Sequence, residues 1–285
     1  MRLGIYMVIL ASSLLTTNML NALDVVLFIN KDFVEVGAEW ASASAFNLTD
    51  SIKMKNAILE LEPNEQLNLS IYNTDSLDHT LTVNGILESN NIIPAFSNAQ
   101  FTLQFSGSGT YRYYSDVSYG KLIGASGIIL VGHTNAKCFF WNLFEMNVDL
   151  SNQLANQEVT DLPIDFQPEY FFINGNYFPN TIADTDTYVE VQLGDTVIIS
   201  ILNSGNMEHV LHFHGFHVEV LHSNHYQNRV GWIKDSLPLD VGSTITVQLI
   251  ADQEGIYPVH DHNLIAVTNA GIYIGGMLTQ IKVLP

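Results

Sequence analysis

The feature that most constrains the fold is an internal repeat. Residues 58–85, "ILELEPNEQLNLSIYNTDSLDHTLTVNG", align without a gap onto residues 188–215, "YVEVQLGDTVIISILNSGNMEHVLHFHG", so that Asn73 matches Asn203, His79 matches His209 and Gly85 matches Gly215. Further on, "IPAFSNAQFTLQFSGSGTYRYYSD" aligns with "LPLDVGSTITVQLIADQEGIYPVHDH", with Pro94 against Pro238 and Gly109 against Gly255. Both copies alternate polar and apolar residues, as in "STITVQLIA", and are broken at short intervals by turn chemistry such as "EPNE", "SGSG" and "LGD". Helical periodicity is scarce. The chain reads as all-β, a duplicated sandwich: a first copy at 23–133, a connector at 134–160 and a second copy at 161–285.

With 47% hydrophobic residues in 285, there is apolar material for two cores. Lys plus Arg total 10 against 29 Asp plus Glu, a formal charge of -19, which repels phosphate backbones and anionic lipid and argues against nucleic acid as a partner. The opening "MRLGIYMVILASSLLTTNMLNA", with Arg2 near the start, an apolar run and Ala22 at its end, reads as a signal peptide over 1–22. The mature protein is then expected outside the cytoplasm, secreted or periplasmic, with no membrane attachment after cleavage. Cys138 is the single cysteine, so no internal disulfide forms and the fold rests on its core. Cys138 opens "CFFWNLFEMN", too apolar for a free linker and expected to pack against the domains as a tether.

The ten histidines are unevenly shared. The first copy holds His79 and His133; "EHVLHFHGFH" in the second supplies His209, His212, His214 and His217, and "YPVHDHNLIAV" adds His260 and His262. Strand parity puts His212 and His214 on one face, and likewise His260 and His262, with Asp261 and His209 facing the other way. A lone strand histidine is ordinary. Two His-x-His pairs in one domain are costly to bury unpaired and repel when protonated, and four imidazoles from two strands suit copper or zinc. His212, His214, His260 and His262 are the expected metal ligands.

At these residues the sequence resembles the multicopper oxidase family, whose cupredoxin domains carry an early "HPxHxHG" strand and a late "HCHxxxHxxxGM" segment. "HVLHFHG" at 209–215 matches the first, and "GIYPVHDHNLIAVTNAGIYIGGM" at 255–277 matches the second less fully. "HNLI" is also similar to the corresponding segment of copper nitrite reductases. The resemblance implies two tandem cupredoxin-like Greek-key β-sandwich domains, copper as the cofactor, and the four imidazoles as part of an interdomain copper cluster. It places His209 toward a mononuclear blue copper, but Asp261 stands where the family has the thiolate ligand, and 263–276 holds no second histidine; only Met277 remains as an axial candidate. By the repeat, Thr82 and Asn84 replace the first histidine pair of the first copy, Tyr114 and Asp116 the second, and Ser115 the thiolate.

The chain is therefore expected to supply half of a copper cluster and no blue centre, and Asp261 to accept a hydrogen bond from His209. The family's two-domain members imply a homotrimer, in which Thr82, Asn84, Tyr114 and Asp116 would wall a neighbour's histidines, with Asp116 as a possible oxygen ligand or base. Three functions are open: copper binding outside the cytoplasm; a copper-dependent oxidoreductase acting on a small molecule and fed by an external electron donor; and a metal-free binding module.

Overall fold

The computed structural model describes residues 22–88, 90–117, 119–133 and 136–285. The signal peptide expected over 1–22 lies, apart from Ala22, outside the described residues. None of the described helices is long and apolar enough to cross a membrane.

The described residues form two sandwiches, each of two main sheets. In the first, Glu39–Asn47, Ala22–Val36, Gln66–Asn73 and Asn98–Gln104 form one sheet in that order, facing a sheet of Ile58–Leu61, Ser126–Val131, Gly109–Tyr114 and Thr82–Val83. In the second, a six-stranded sheet runs Tyr170–Ile173, Lys137–Met146, Thr196–Asn203, Thr244–Ile250, Val218–Ser223 and Ile233–Lys234. Its partner runs Val189–Gln192, Leu278–Leu284, Gly255–Asp261, His209–Phe213 and Ser236–Leu239. Alternation along the strands sends one face inward: in Gln66–Asn73, Leu67, Leu69 and Ile71 are buried, while the residues between them are half-exposed. Leu27, Phe46, Leu67, Ile71 and Tyr113 help fill the first core; Trp141, Phe171, Phe213, Val247 and Ile281 help fill the second.

The stretch expected to be a connector, 134–160, is not a tether between finished domains. Lys137–Met146 runs parallel to Thr196–Asn203 inside the second sandwich, the same relation that Ala22–Val36 bears to Gln66–Asn73 in the first. The second copy thus begins before 161, and "CFFWNLFEMN" is apolar because it is an internal strand. The helix Val148–Ala155, next in the chain, does join the domains. Capped by the Asn147 side chain accepting from Leu150 N, it lies on Glu39–Asn47, where Asn152 Oδ1 accepts from Ser42 N at 2.7 Å.

The sandwiches also meet directly. Thr110 Oγ1 sits 2.8 Å from both Ser200 Oγ and Thr246 Oγ1, and Thr244 Oγ1 donates to Thr110 O at 2.8 Å. Ile128, Leu130, Phe140 and Leu202 form an apolar cluster between them.

Candidate metal centre

The paired strands His209–Phe213 and Gly255–Asp261 build the histidine face. Antiparallel register sets His212 directly opposite His260. His214 lies just past the end of its strand, held by its N–H to Pro258 O, and His262 just past the end of the other, held by its N–H to Val210 O. The ring of His212 is therefore central: its centroid lies 4.7 Å from that of His214 and 5.8 Å from those of His260 and His262. His214 and His260 are 5.1 Å apart by centroid and 3.0 Å apart between their Nε2 atoms. His212 and His260 are half-buried; His214 and His262 are exposed.

Two rings are oriented from behind. His212 Nδ1 lies 3.0 Å from Ser236 Oγ and 3.2 Å from Asp235 O, and His260 Nδ1 lies 2.8 Å from Asp261 O. An Nδ1–H donating to a carbonyl leaves Nε2 with its lone pair, the form in which imidazole binds a metal. Burial, then the neighbouring His212 and His260, depress the pKa of His214, which favours the same neutral form. Among the described residues, however, no three His, Cys, Asp or Glu side chains form a ready metal cage. All four predicted ligands share one face, with His214 and His260 as one close pair of nitrogens, His212 beside both and His262 at the margin.

Behind this face lies a second arrangement. His209, Asp261 and Glu145 have fully buried side chains. His209 Nδ1–H donates to Asp261 Oδ2 at 2.5 Å and Nε2–H to Glu145 Oε2 at 3.0 Å. Asp261 Oδ1 accepts also from Asn263 N at 2.7 Å, and Glu145 from Asn206 N. Burial alone would lower the His209 pKa; the hydrogen bonds to Asp261 and Glu145, and their charges, override it and raise the pKa to about 9. Asp261 thus takes the hydrogen bond expected of it. Its carboxylate engages the very imidazole that a blue copper would need.

Sequence patterns do not point to Glu145. It arrives on the strand Lys137–Met146, which reads as a connector, and its only signal is a single acid in the apolar run "CFFWNLFEM". The chain passes close to it at Gly205, where a β-carbon would collide with the Glu145 carboxylate. Met277, the axial candidate, is fully buried in the second core.

The first copy keeps a reduced version. His79 Nε2 lies 2.9 Å from Asp75 Oδ2 and Nδ1 lies 2.8 Å from Ser115 Oγ, with Tyr119 OH also donating to Asp75. Burial would raise the Asp75 pKa, but the hydrogen bonds from His79 and Tyr119, the His79 charge and Ser76 N bring it down to about 2. Although the residue types are those of a hydrolase triad, Ser115 and His79 are fully buried, so no substrate reaches them.

The four residues expected to wall a neighbour's histidines are scattered in role. Thr82 is buried, Asn84 is half-buried, Tyr114 lies under the Arg112 guanidinium at 4.4 Å, and Asp116 is ion-paired with Lys121.

Residues 152–277 match the multicopper oxidase family model. No curated protein sequence matches the chain. Among solved structures, the fold is similar to the blue copper oxidase of Nitrosomonas europaea (TM-score 0.78, 19% identity, 92% of this chain and 86% of that one). It is similar also to the multicopper oxidase mgLAC (TM-score 0.77, 19% identity, 93% and 87%) and to the copper nitrite reductase of Nitrosomonas europaea (TM-score 0.70, 16% identity, 93% and 94%). The second copy of the repeat therefore carries the multicopper oxidase match, on a two-domain cupredoxin-like fold that nearly the whole chain shares with multicopper oxidases and copper nitrite reductases.

Proposed function

We propose that this is an exported copper-binding protein with an imidazole copper site at His212, His214, His260 and His262 and no blue copper centre. The observation that carries the reading is the shared face of these four rings, with His214 and His260 Nε2 3.0 Å apart, a spacing compatible with two adjacent ligands on one ion at bond lengths of about 2.0–2.1 Å. The donor set fits: Ser236, Asp235 and the Asp261 carbonyl hold Nδ1 of His212 and His260, so that Nε2 of each is available. Bound copper would supply a Lewis-acidic, redox-active ion. The protein's own part is to orient the rings.

The residues at the blue-copper position argue against a blue centre. His209 is committed to Asp261 and Glu145, and His79 to Asp75 and Ser115.

A homotrimer belongs to the same reading. Leu264 and Ile265, close behind His262, and Ile272, Tyr273 and Ile274 beyond them are exposed apolar side chains, a surface suited to a neighbouring copy. Light scattering at micromolar concentration should give a trimer, and a monomer with copper bound would overturn the assembly.

A copper-dependent oxidoreductase on a small molecule is the second reading, favoured by the overlay on 94% of a copper nitrite reductase chain. It requires an external donor delivering electrons directly, because both candidate electron-entry positions are filled by hydrogen-bonded side chains. Steady turnover with a reduced donor protein would select it.

The deciding experiment is copper titration with metal analysis and an electron paramagnetic resonance spectrum. Four imidazoles on one face predict about one Cu(II) per protomer, displacing zinc. Unchanged copper affinity in a His212→Ala/His260→Ala variant would refute the site.

A further inference from the structure

In a chain with 29 acidic and 10 basic residues, Arg112 is anomalous. It is 7% exposed, on the strand Gly109–Tyr114 that faces the second domain, and among the described residues it forms no ion pair with a carboxylate. Its Nε donates to Ser126 Oγ at 2.8 Å and its guanidinium lies over the Tyr114 ring. Its terminal amino groups make no hydrogen bond to any described residue. Asp116, whose charge reaches it, is itself paired with Lys121. The terminal N–H groups of the guanidinium are not sealed from solvent and stay free to donate to an acceptor entering from the side that Ser126 does not occupy.

Arg112 lines a cleft between the two domains of about 180 Å³. Asn84 and Ser108 join it from the first domain, and His222 and Asn224 from the second. No Asp or Glu among the described residues lines this cleft, despite the acidity of the chain as a whole. Neither the Asn84 amide, the Ser108 hydroxyl nor the His222 ring is hydrogen-bonded to a described residue. Gly109 keeps the wall open: its φ is +136° and a β-carbon there would sit 3.2 Å from the His222 side chain. The cleft is therefore polar, positively charged, furnished with unused donors, and large enough for a small ligand.

We propose that this interdomain cleft binds a small oxyanion, with the Arg112 guanidinium gripping two of its oxygens and Asn84, Ser108 and His222 completing the contacts. The chemistry is that of phosphate or of a short carboxylate, both of which match the planar fork of arginine. Because its walls come from both sandwiches, the bound anion acts as a clamp between them, stabilising the folded protein by an amount that grows with the logarithm of the anion concentration above Kd.

The cleft is separate from the histidine face, so the test is run on the full chain stripped of metal, and repeated on the His212→Ala/His260→Ala variant to exclude anions held at those imidazoles. Inorganic phosphate and succinate are titrated separately, by calorimetry and by thermal unfolding at constant ionic strength. Saturable binding of either, with a rise in Tm that survives in the histidine variant, is expected; whichever binds tighter identifies the source.

Arg112→Met, which keeps the side-chain stem without the charge, should weaken that binding by about tenfold or more. His222→Gln, which leaves the arginine in place, should weaken it by roughly threefold to tenfold and covers the case in which the arginine variant fails to fold. No saturable binding of either anion, or binding indifferent to the folded variants, would overturn the proposal. The copper reading would stand untouched by that result.

Discussion

The two domains each bury a histidine and give it different partners. In the first copy His79 bridges a carboxylate, Asp75, and a hydroxyl, Ser115. A hydroxyl can donate or accept, so that bridge can be completed with one ring proton or two. In the second copy His209 bridges two carboxylates, Asp261 and Glu145, which raise its pKa to about 9, so that at neutral pH both ring nitrogens carry a proton. Two differences separate an adaptable hydrogen-bond bridge from a bridge of two carboxylates: serine in one copy against aspartate in the other at matching positions, and a carboxylate supplied by Asp75 in one and by Glu145, from another strand, in the other. Neither retains a free nitrogen for a metal.

The largest expected effect comes from removing the cation. His209→Ala leaves Asp261 and Glu145 facing each other in a dry interior with only two backbone N–H groups between them, and should cost about 3–5 kcal/mol in denaturant unfolding. His79→Ala removes one partner of a single carboxylate that keeps Tyr119 and Ser76 N, so it should cost about 1–3 kcal/mol. Equal losses in the two variants would erase the distinction drawn between the copies.

Much of the histidine face is legible in the sequence because it is local. Strand parity alone puts His212 beside His214 and His260 beside His262, and the repeat alignment brings the two strands into comparable positions. Asp261 facing His209 comes from the same parity. Glu145 is hidden because it lies 64 residues from His209 and meets it only through parallel pairing of Lys137–Met146 with Thr196–Asn203, a contact that no short-range pattern encodes. The same nonlocal pairing makes an internal strand read as a connector. The Asp116–Lys121 ion pair escapes for a different reason: the repeat alignment transfers a position from the second copy and says nothing of the lysine five residues on.

The pH dependence should separate the copies next. The His209 pKa stands near 9 in the folded protein against an ordinary 6.5, so its stabilisation is complete below about 6.5 and disappears as pH rises through about 9. Asp75 shows the opposite sense: held near 2 against an ordinary 3.8, it stabilises above about 3.8 and loses that contribution as pH falls through about 2. Asp261→Ser converts the second bridge to the first copy's type. The His209 resonance tracked by nuclear magnetic resonance should then titrate below its wild-type midpoint, and the alkaline loss of stability should begin earlier. An unchanged midpoint would mean that Glu145 alone sets the charge.

The smallest effect is the most diagnostic of what separates the copies. If the thiolate were all that the second copy had lost, Asp261→Cys would restore a blue centre. It should not. His209 would still donate to Glu145, and residues 263–276 contain no histidine to complete the ligand set, leaving a thiolate beside one committed imidazole and the buried Met277. A copper-thiolate centre of the blue type needs two imidazoles with the sulfur. The copper-loaded wild type should therefore lack an intense visible band, and Asp261→Cys should gain none that is stable. An intense band in the wild type that survives Cys138→Ser would require a chromophore built without a thiolate, and one abolished by Cys138→Ser would make that half-buried thiol a ligand. A stable blue band in Asp261→Cys would mean that Glu145 releases His209 readily and that a histidine from outside residues 263–276 completes the ligand set.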